Sequence, residues 1–224
     1  MSLFISFEGG EGSGKSTQAA ILLKQLQQNK VNSMLVHEPG STPLGDFLRT
    51  KLKTQVDGEH SLTPRTELFL FSASRTELIA KKIKPALQNQ DTVVIADRFS
   101  DSTVAYQSYG RKIPLEDVVK INRVATLGIC PDLTFLLDCS PKKSLERLSP
   151  QFMLDLDQNN PRIDLAGTRR FEEESIDFHN RVRAGYKKMA KQEPSRWVVL
   201  DANNPVEDIS NSIWEHVQDR LKNI

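Results

Sequence analysis

Leu3-Phe4-Ile5-Ser6-Phe7-Glu8-Gly9-Gly10-Glu11-Gly12-Ser13-Gly14-Lys15-Ser16 is the stretch that decides the fold. An apolar strand enters a glycine-rich turn that matches G-x-x-x-x-G-K-[ST] from Gly9 to Ser16, and the helix-like Thr17-Gln18-Ala19-Ala20-Ile21-Leu22-Leu23 follows. Phosphate binding needs that order. Glycines admit positive φ and bring successive backbone N–H groups up to phosphate oxygens. The helix N-terminus adds unpaired N–H groups and the positive end of its dipole. Lys15 reaches the β/γ-phosphates, and the Ser16 hydroxyl is a hard oxygen ligand for Mg²⁺. The motif's fixed positions match by chance in about one chain in a hundred of this length, and the strand-turn-helix context lowers that further. The chain therefore reads as a nucleoside triphosphate binder, with Gly10, Glu11, Gly12, Ser13, Gly14, Lys15, Ser16 and Thr17 as its contacts.

Outward from this loop, short β-branched runs alternate with amphipathic stretches. The strands expected are Phe4–Phe7, Asn32–Val36, Thr92–Ala96, Leu133–Asp138 and Trp197–Leu200. The helices expected are Ser16–Gln28, Leu44–Leu52, Pro64–Gln88, Leu115–Leu127, Pro141–Leu148, Phe171–Gln192 and Pro205–Leu221, with Pro85 kinking or restarting the third. Such alternation implies a mostly parallel sheet covered on both faces. Ser149–Thr168 stands apart, broken by prolines, Asn159-Asn160 and Gly167. A loop of that length in a compact domain is either functional or without a role, and a lid over phosphates is its functional reading.

The 224 residues fit a single α/β domain spanning 1–224, with 149–170 as a lid segment within it. A net charge of +1 gives no basic stripe for nucleic acid. Cys130 and Cys139 suggest no disulfide framework, no run approaches the ~20 apolar residues of a membrane span, and the N-terminus lacks a signal-peptide layout. A cytoplasmic protein is the expectation.

Several further clusters carry chemistry. Thr92-Val93-Val94-Ile95-Ala96-Asp97 is an apolar strand ending in a carboxylate that can serve Mg²⁺, though Asp also closes ordinary strand-to-loop turns. Arg98 follows at the sheet edge where open α/β sheets bind ligands, and an arginine there can grip phosphate bidentately. Ser100-Asp101-Ser102-Thr103-Val104-Ala105-Tyr106-Gln107 suits a nucleobase and sugar, and equally a helix start capped by Asp101 or Ser102. Glu38-Pro39-Gly40 makes a rigid turn. Phe71 and Arg75 share one helical face; a stacking ring beside a phosphate-binding guanidinium and a core ring beside a surface arginine both fit. Arg169-Arg170-Phe171-Glu172-Glu173-Glu174 closes the lid and is either a solvated charged face or a source of cations for a transferring phosphate.

In this order and spacing the pieces resemble the thymidylate kinase (dTMP kinase) family: a phosphate loop with internal Glu11, E-P-G at Glu38, F-x-A-x-R from Phe71 to Arg75, D-R-F at Asp97, and S-T-x-A-Y-Q from Ser102 to Gln107. Pro131–Asp138 and Arg170–Glu174 fit as well, so the resemblance spans essentially the whole chain. It implies a nucleoside-monophosphate-kinase fold, with a five-stranded parallel sheet, flanking helices and a mobile lid. It implies transfer of the γ-phosphoryl of ATP to dTMP with Mg²⁺, and homodimers formed through helices such as Pro64–Gln88. By matching position, Lys15 and the loop hold the donor phosphates, Ser16 and Asp97 serve the metal, and Arg98 and Arg75 bind the dTMP phosphate. Phe71 stacks on thymine, Thr103 and Gln107 lie near its polar edge, Tyr106 crowds the 2′ position and Glu11 faces the 3′-hydroxyl. Glu38 and Ser102 complete the acceptor set, and Arg147 packs on adenine.

The phosphate loop carries Gly12-Ser13-Gly14 and no arginine, so the family variant implied is the one whose lid supplies the catalytic cation. Arg170 is the first choice, with Arg162 and Arg169 in reserve. No general base is needed, because a phosphate monoester is already ionised near neutral pH. The chain departs from the family pattern at His37 (commonly Arg), Ser41 (commonly Gly) and Arg169 (often Asp), and in a longer lid that is apolar at Phe152-Met153-Leu154. The rival readings are a kinase for another monophosphate and a regulatory ATPase that hydrolyses ATP without an acceptor. A guanine-nucleotide switch would need an N-K-x-D motif, which the sequence lacks.

Overall fold

The computed structural model describes residues 2–53, 62–89, 91–148, 171 and 174–222. The expected lid, 149–170, lies outside the described residues, and with it Arg162, Arg169 and Arg170. Five strands form one parallel sheet: β1 (Leu3–Glu8), β2 (Asn32–His37), β3 (Thr92–Asp97), β4 (Leu133–Asp138) and β5 (Trp197–Asp201). Their spatial order is β2-β3-β1-β4-β5. The chain steps away from β1 on one side and returns to its other side, so the C-terminal ends of β1, β3 and β4 open a crevice at the switch in strand order.

Alternation along the strands feeds apolar packing on each face of the sheet. Leu3, Ile5 and Phe7 point to one face with Leu133, Phe135 and Leu137, where α1 (Lys15–Gln28) and the C-terminal helix cover them through Leu22, Leu26, Ile209, Ile213 and Val217. Phe4, Val94 and Ala96 point to the other, against Leu78, Ile79, Ile83 and Phe99. Ser6 lies on the same strand side as Phe4, and its hydroxyl pairs with Thr134 at 2.9 Å. Burial on both faces explains why these strands read as continuous apolar runs.

The helices follow the expected spans with physical reasons for each difference. α2 covers Pro43–Lys53, and α3 (Pro64–Leu78) starts where the Thr63 hydroxyl accepts the Thr66 N–H. The backbone then widens into a π turn over Ile79–Ile83 and resumes as α4 (Lys84–Gln88), with Pro85 in its first turn. Proline lacks an N–H to bond back along the helix, and the wider turn accommodates that gap.

α5 (Ser100–Thr103) and a π turn over Val104–Gly110 form a helix where the sequence offers a helix start as one of two readings. Its Ser, Thr and Asp residues compete with the backbone, which hides helical propensity. Asp101 and Ser102 sit inside its first turn, so neither is the cap that their residue types suggested. α6 (Leu115–Thr126) and α7 (Pro141–Glu146) follow. α8 (Ile176–Gln192) begins where Ser175 caps it by accepting the Phe178 N–H at 3.2 Å, later than the expected Phe171 start. α9 (Val206–Lys222) closes the chain.

Candidate active site

The phosphate loop joins β1 to α1, with Gly9, Gly12 and Gly14 all at positive φ. At Gly12 a Cβ would also sit 2.1 Å from the Ser144 carbonyl oxygen, so glycine alone lets α7 press on the loop. Lys15 is buried and folds back over its own loop, donating to the Gly10 carbonyl at 2.6 Å and to Ser13 Oγ at 3.3 Å. Burial lowers its ammonium to about 8, reinforced by Arg98 and opposed by Glu11, Asp97 and Glu8. A poorly compensated buried cation at the mouth of a helix is a seat for anions. Glu11 lies at the loop's inner edge, while Ser13 is buried and Thr17 exposed. Arg147 follows α7 and donates to the Ala202 carbonyl at 3.0 Å, which puts it over the turn after β5 beside the loop.

Ser16 Oγ donates to Asp97 Oδ2 at 2.5 Å, so the two expected metal residues meet where β3 ends against α1. Among the described residues no group of three or more His, Cys, Asp or Glu side chains converges to hold a metal alone. Two hard oxygens suit Mg²⁺, which keeps waters and takes phosphate oxygens instead of filling a protein cage.

Arg98 directly follows β3 and lies against the phosphate loop. Its φ of +71° turns its side chain back over the loop, where Nη1 donates to the Gly9 carbonyl at 3.0 Å. Nη2 donates to Glu11 Oε1 at 2.6 Å and to the Tyr106 hydroxyl at 3.1 Å, and the guanidinium carbon lies 5.0 Å from the centre of the Tyr106 ring. Tyr106 also donates to Glu11, at 2.8 Å. Burial alone would depress the Arg98 pKa, but Glu11 first, then the Tyr106 and Tyr186 oxygens and Asp97, outweigh it and hold the guanidinium well above its ordinary value. Burial, with Glu11 adding to it, keeps the Tyr106 phenol well above its ordinary range.

The wall beyond Arg98 brings together Phe71, Ser102, Thr103, Tyr106 and Gln107. Thr103 and Gln107 are buried, and Gln107 Nε2 donates to Glu67 Oε1 at 2.8 Å. The Phe71 ring centre is 6.1 Å from that of Phe171, which also lies 5.7 Å from Tyr106. Arg75, expected as a phosphate ligand, is 1% exposed, buried as deeply as Gln107, and its guanidinium is engaged by protein groups. Its Nε and Nη2 hold Glu38 at 2.8 and 2.5 Å, Nη1 holds Asn122 at 2.9 Å, and Nη2 also meets the Phe99 carbonyl at 3.2 Å. Glu38 is thus the counter-charge of a brace behind the wall; burial raises its carboxyl, against the pull of Arg75.

Three side chains at the site were not singled out by the sequence reading. Arg49 of α2 donates to the Pro39 carbonyl at 2.9 Å, and its guanidinium is lowered by burial while feeling Asp97, Arg98, Asp46 and Glu11. Its signal is an arginine two turns into the helix that leaves the Glu38-Pro39-Gly40 turn. Glu8 is fully buried at the end of β1, pushed up to about 7 by burial and Asp101, against Ser102, Arg98 and the Phe99 N–H. Its signal is a carboxylate closing an otherwise apolar central strand. Tyr186 of α8 donates to Glu8 at 3.0 Å, and no local pattern marks it.

The model of the thymidylate kinase family matches residues 7–213. A thymidylate kinase of Chlorobium chlorochromatii (strain CaD3) is 42% identical, covering 98% of this chain and 96% of that protein. One of Dehalococcoides mccartyi (strain ATCC BAA-2266 / KCTC 15142 / 195) is 43% identical over 99% of both. Among solved structures, a thymidylate kinase from Ehrlichia chaffeensis superposes with a TM-score of 0.68 at 33% identity, covering 89% of this chain and 92% of that one.

Proposed function

The chain belongs to the thymidylate kinase family, and we propose that the crevice around Arg98 is where it carries out that family's reaction. It is an ATP-dependent thymidylate kinase, transferring the γ-phosphoryl group of ATP to dTMP to give ADP and dTDP. One observation carries the assignment of the site: Arg98 bridges the phosphate loop, through Gly9 and Glu11, to the acceptor wall, through Tyr106.

In this reading the loop and Lys15 hold the β- and γ-phosphates of ATP, and Arg147 flanks adenine. Ser16 and Asp97 hold Mg²⁺, which when bound neutralises charge on the donor phosphates. Arg98 and Arg49 bind the dTMP phosphate. Phe71 faces thymine, with Thr103 and Gln107 at its polar edge, and Tyr106 with Glu11 lines the deoxyribose. Arg75 and Glu38 brace this wall from behind. Both substrates are anions, so the protein's work is charge neutralisation and alignment of attacking and leaving oxygens.

The remaining cation is assigned to Arg170 of the lid, with Arg162 and Arg169 as reserves. Two features support this: Gly12-Ser13-Gly14 offers no arginine, and Phe171, next in sequence to Arg170, lies against Phe71 and Tyr106. We also assign a single domain with 149–170 as its lid, a cytoplasmic location where both nucleotides are available, and a homodimer. Exposed Phe69, Val119 and Val124 on the adjoining α3 and α6 support the homodimer, which sedimentation tests directly. Among the described residues no helix is long and apolar enough to cross a membrane.

The deciding experiment supplies Mg·ATP with dTMP, dUMP, UMP, CMP, AMP or GMP and follows the diphosphate product. dTMP-dependent dTDP formation is expected. Turnover with another monophosphate would overturn the acceptor wall, and ADP release without any acceptor would favour a regulatory ATPase. Arg49→Ala should raise KM for dTMP more than KM for ATP; an equal rise in both would remove Arg49 from the acceptor side.

A further inference from the structure

We infer that Glu8 positions Arg98 for the acceptor, acting through the hydroxyls of Ser102 and Tyr186. The inference rests on the reading of Arg98 as an acceptor-phosphate residue. Arg98 Nη1 donates to Ser102 Oγ at 3.3 Å and to the Tyr186 hydroxyl at 3.4 Å. A guanidinium only donates, so each hydroxyl accepts on that side and must send its own proton elsewhere. Glu8 Oε2 receives both, at 2.5 Å from Ser102 and 3.0 Å from Tyr186. The two hydroxyls are 2.9 Å apart. Glu8 Oε1 takes the Phe99 N–H at 2.8 Å, which fixes the carboxylate plane against the backbone next to Arg98.

This arrangement divides the guanidinium into two edges. The Nη1 edge is held by the frame: the Gly9 carbonyl and the two hydroxyls that Glu8 orients. The Nη2 edge faces Glu11 and Tyr106, the groups that line the crevice. An acceptor phosphate then exchanges partners on one edge while the other stays fixed.

The relay ties together β1, the end of β3, α5 and α8. Other charges around Glu8 come from every side. Asp101 of α5 faces it and is itself held by Arg196 at 2.7 Å, Lys15 lies across from α1, and Arg98 carries Glu11 on its far edge. Three donors converge on the Glu8 oxygens, an arrangement that favours an acceptor-only carboxylate there. A glutamine of the same size must turn an N–H toward some of them.

The test compares Glu8→Gln, Tyr186→Phe, their double variant and Arg98→Ala with the wild-type enzyme, varying dTMP and ATP separately and recording Tm. Glu8→Gln and Tyr186→Phe should each lower kcat/KM for dTMP by roughly 10- to 100-fold, as small misplacements of an aligning group do. KM for ATP should stay within about twofold, a split that general destabilisation would not produce. The double variant should be no worse than the more damaged single, because both act on one relay. Tyr186→Phe removes only one oxygen and keeps the test intact if Glu8→Gln folds poorly. Near-normal kinetics in both singles beside an inactive Arg98→Ala would overturn the inference alone, as would multiplied losses in the double variant or a matching rise in KM for ATP. Unimpaired Arg98→Ala would overturn the acceptor reading and this inference with it.

Discussion

Lys15 is buried among its own loop atoms with its ammonium lowered to about 8, first by burial and then by Arg98. A polyphosphate held by Lys15 would add negative charge to that of Glu11, Asp97 and Glu8, so ATP binding there would raise this pKa. Near pH 8.5, where free Lys15 is mostly neutral, binding should take up a proton. Calorimetry in buffers of different ionisation heat measures that uptake, and none at pH 8.5 would contradict it. A lysine lowered below its unfolded value also penalises the fold fully below about pH 8, and the penalty fades as pH rises toward the unfolded value. Glu38 and Arg75 make the opposite kind of contact, a pair whose side chains are 3% and 1% exposed. Glu38→Gln removes one charge and leaves the other buried, which should cost about 3–5 kcal/mol. Urea unfolding measures this, and a cost under about 1 kcal/mol would show that Arg75 finds other partners. The sequence revealed that Phe71 and Arg75 share a helical face. It did not reveal that Arg75 turns inward, because its counter-charge is 37 residues away.

At the scale of elements, α7 and the phosphate loop touch where Gly12 meets the Ser144 carbonyl. Gly12→Ala adds a methyl that cannot fit at 2.1 Å, in a φ of +67° that strains any side chain, so the loop must move off α7. We expect KM for ATP to rise more than KM for dTMP and stability to fall by about 1–3 kcal/mol; an unchanged KM for ATP would mean that the loop tolerates the shift. The strands and most helices were legible because central parallel strands are uniformly apolar and surface helices keep a 3.6-residue period. For Ser100–Gly110 the sequence offers only a helix start, because residues on all sides of that helix are buried, which erases the period that would mark its length. The start of α8 was misplaced because Phe171 reads as the first apolar helical residue, whereas its ring is drawn against Phe71 and Tyr106 and the helix waits for Ser175.

For the molecule as a whole, the strand order β2-β3-β1-β4-β5 brings residues as distant as Glu8, Arg98 and Tyr186 to one crevice. The phosphate loop was legible because all its parts are contiguous. The acceptor wall was legible mainly as an ordered set of motifs, and Arg49, Glu8 and Tyr186 were not, because only the folded sheet makes them neighbours. With both nucleotides at about 100 times their Kd, each binding only the native state, the fold should gain about 2.7 kcal/mol per ligand. Thermal melts should rise with ATP and dTMP together; a melt indifferent to dTMP would mean that no acceptor site is formed. One last consequence follows from Glu11, whose carboxylate sits on the outer edge of Arg98 at 2.6 Å. It is an anion tethered at high local concentration, and every incoming anion must compete with it. Sulfate or inorganic phosphate has no base or sugar to add to its grip and would lose that competition, which would insulate an acceptor site at Arg98 from the salts around it. Glu11→Gln should make sulfate a markedly stronger inhibitor with respect to dTMP, and equal inhibition in both proteins would show that the tether plays no such part.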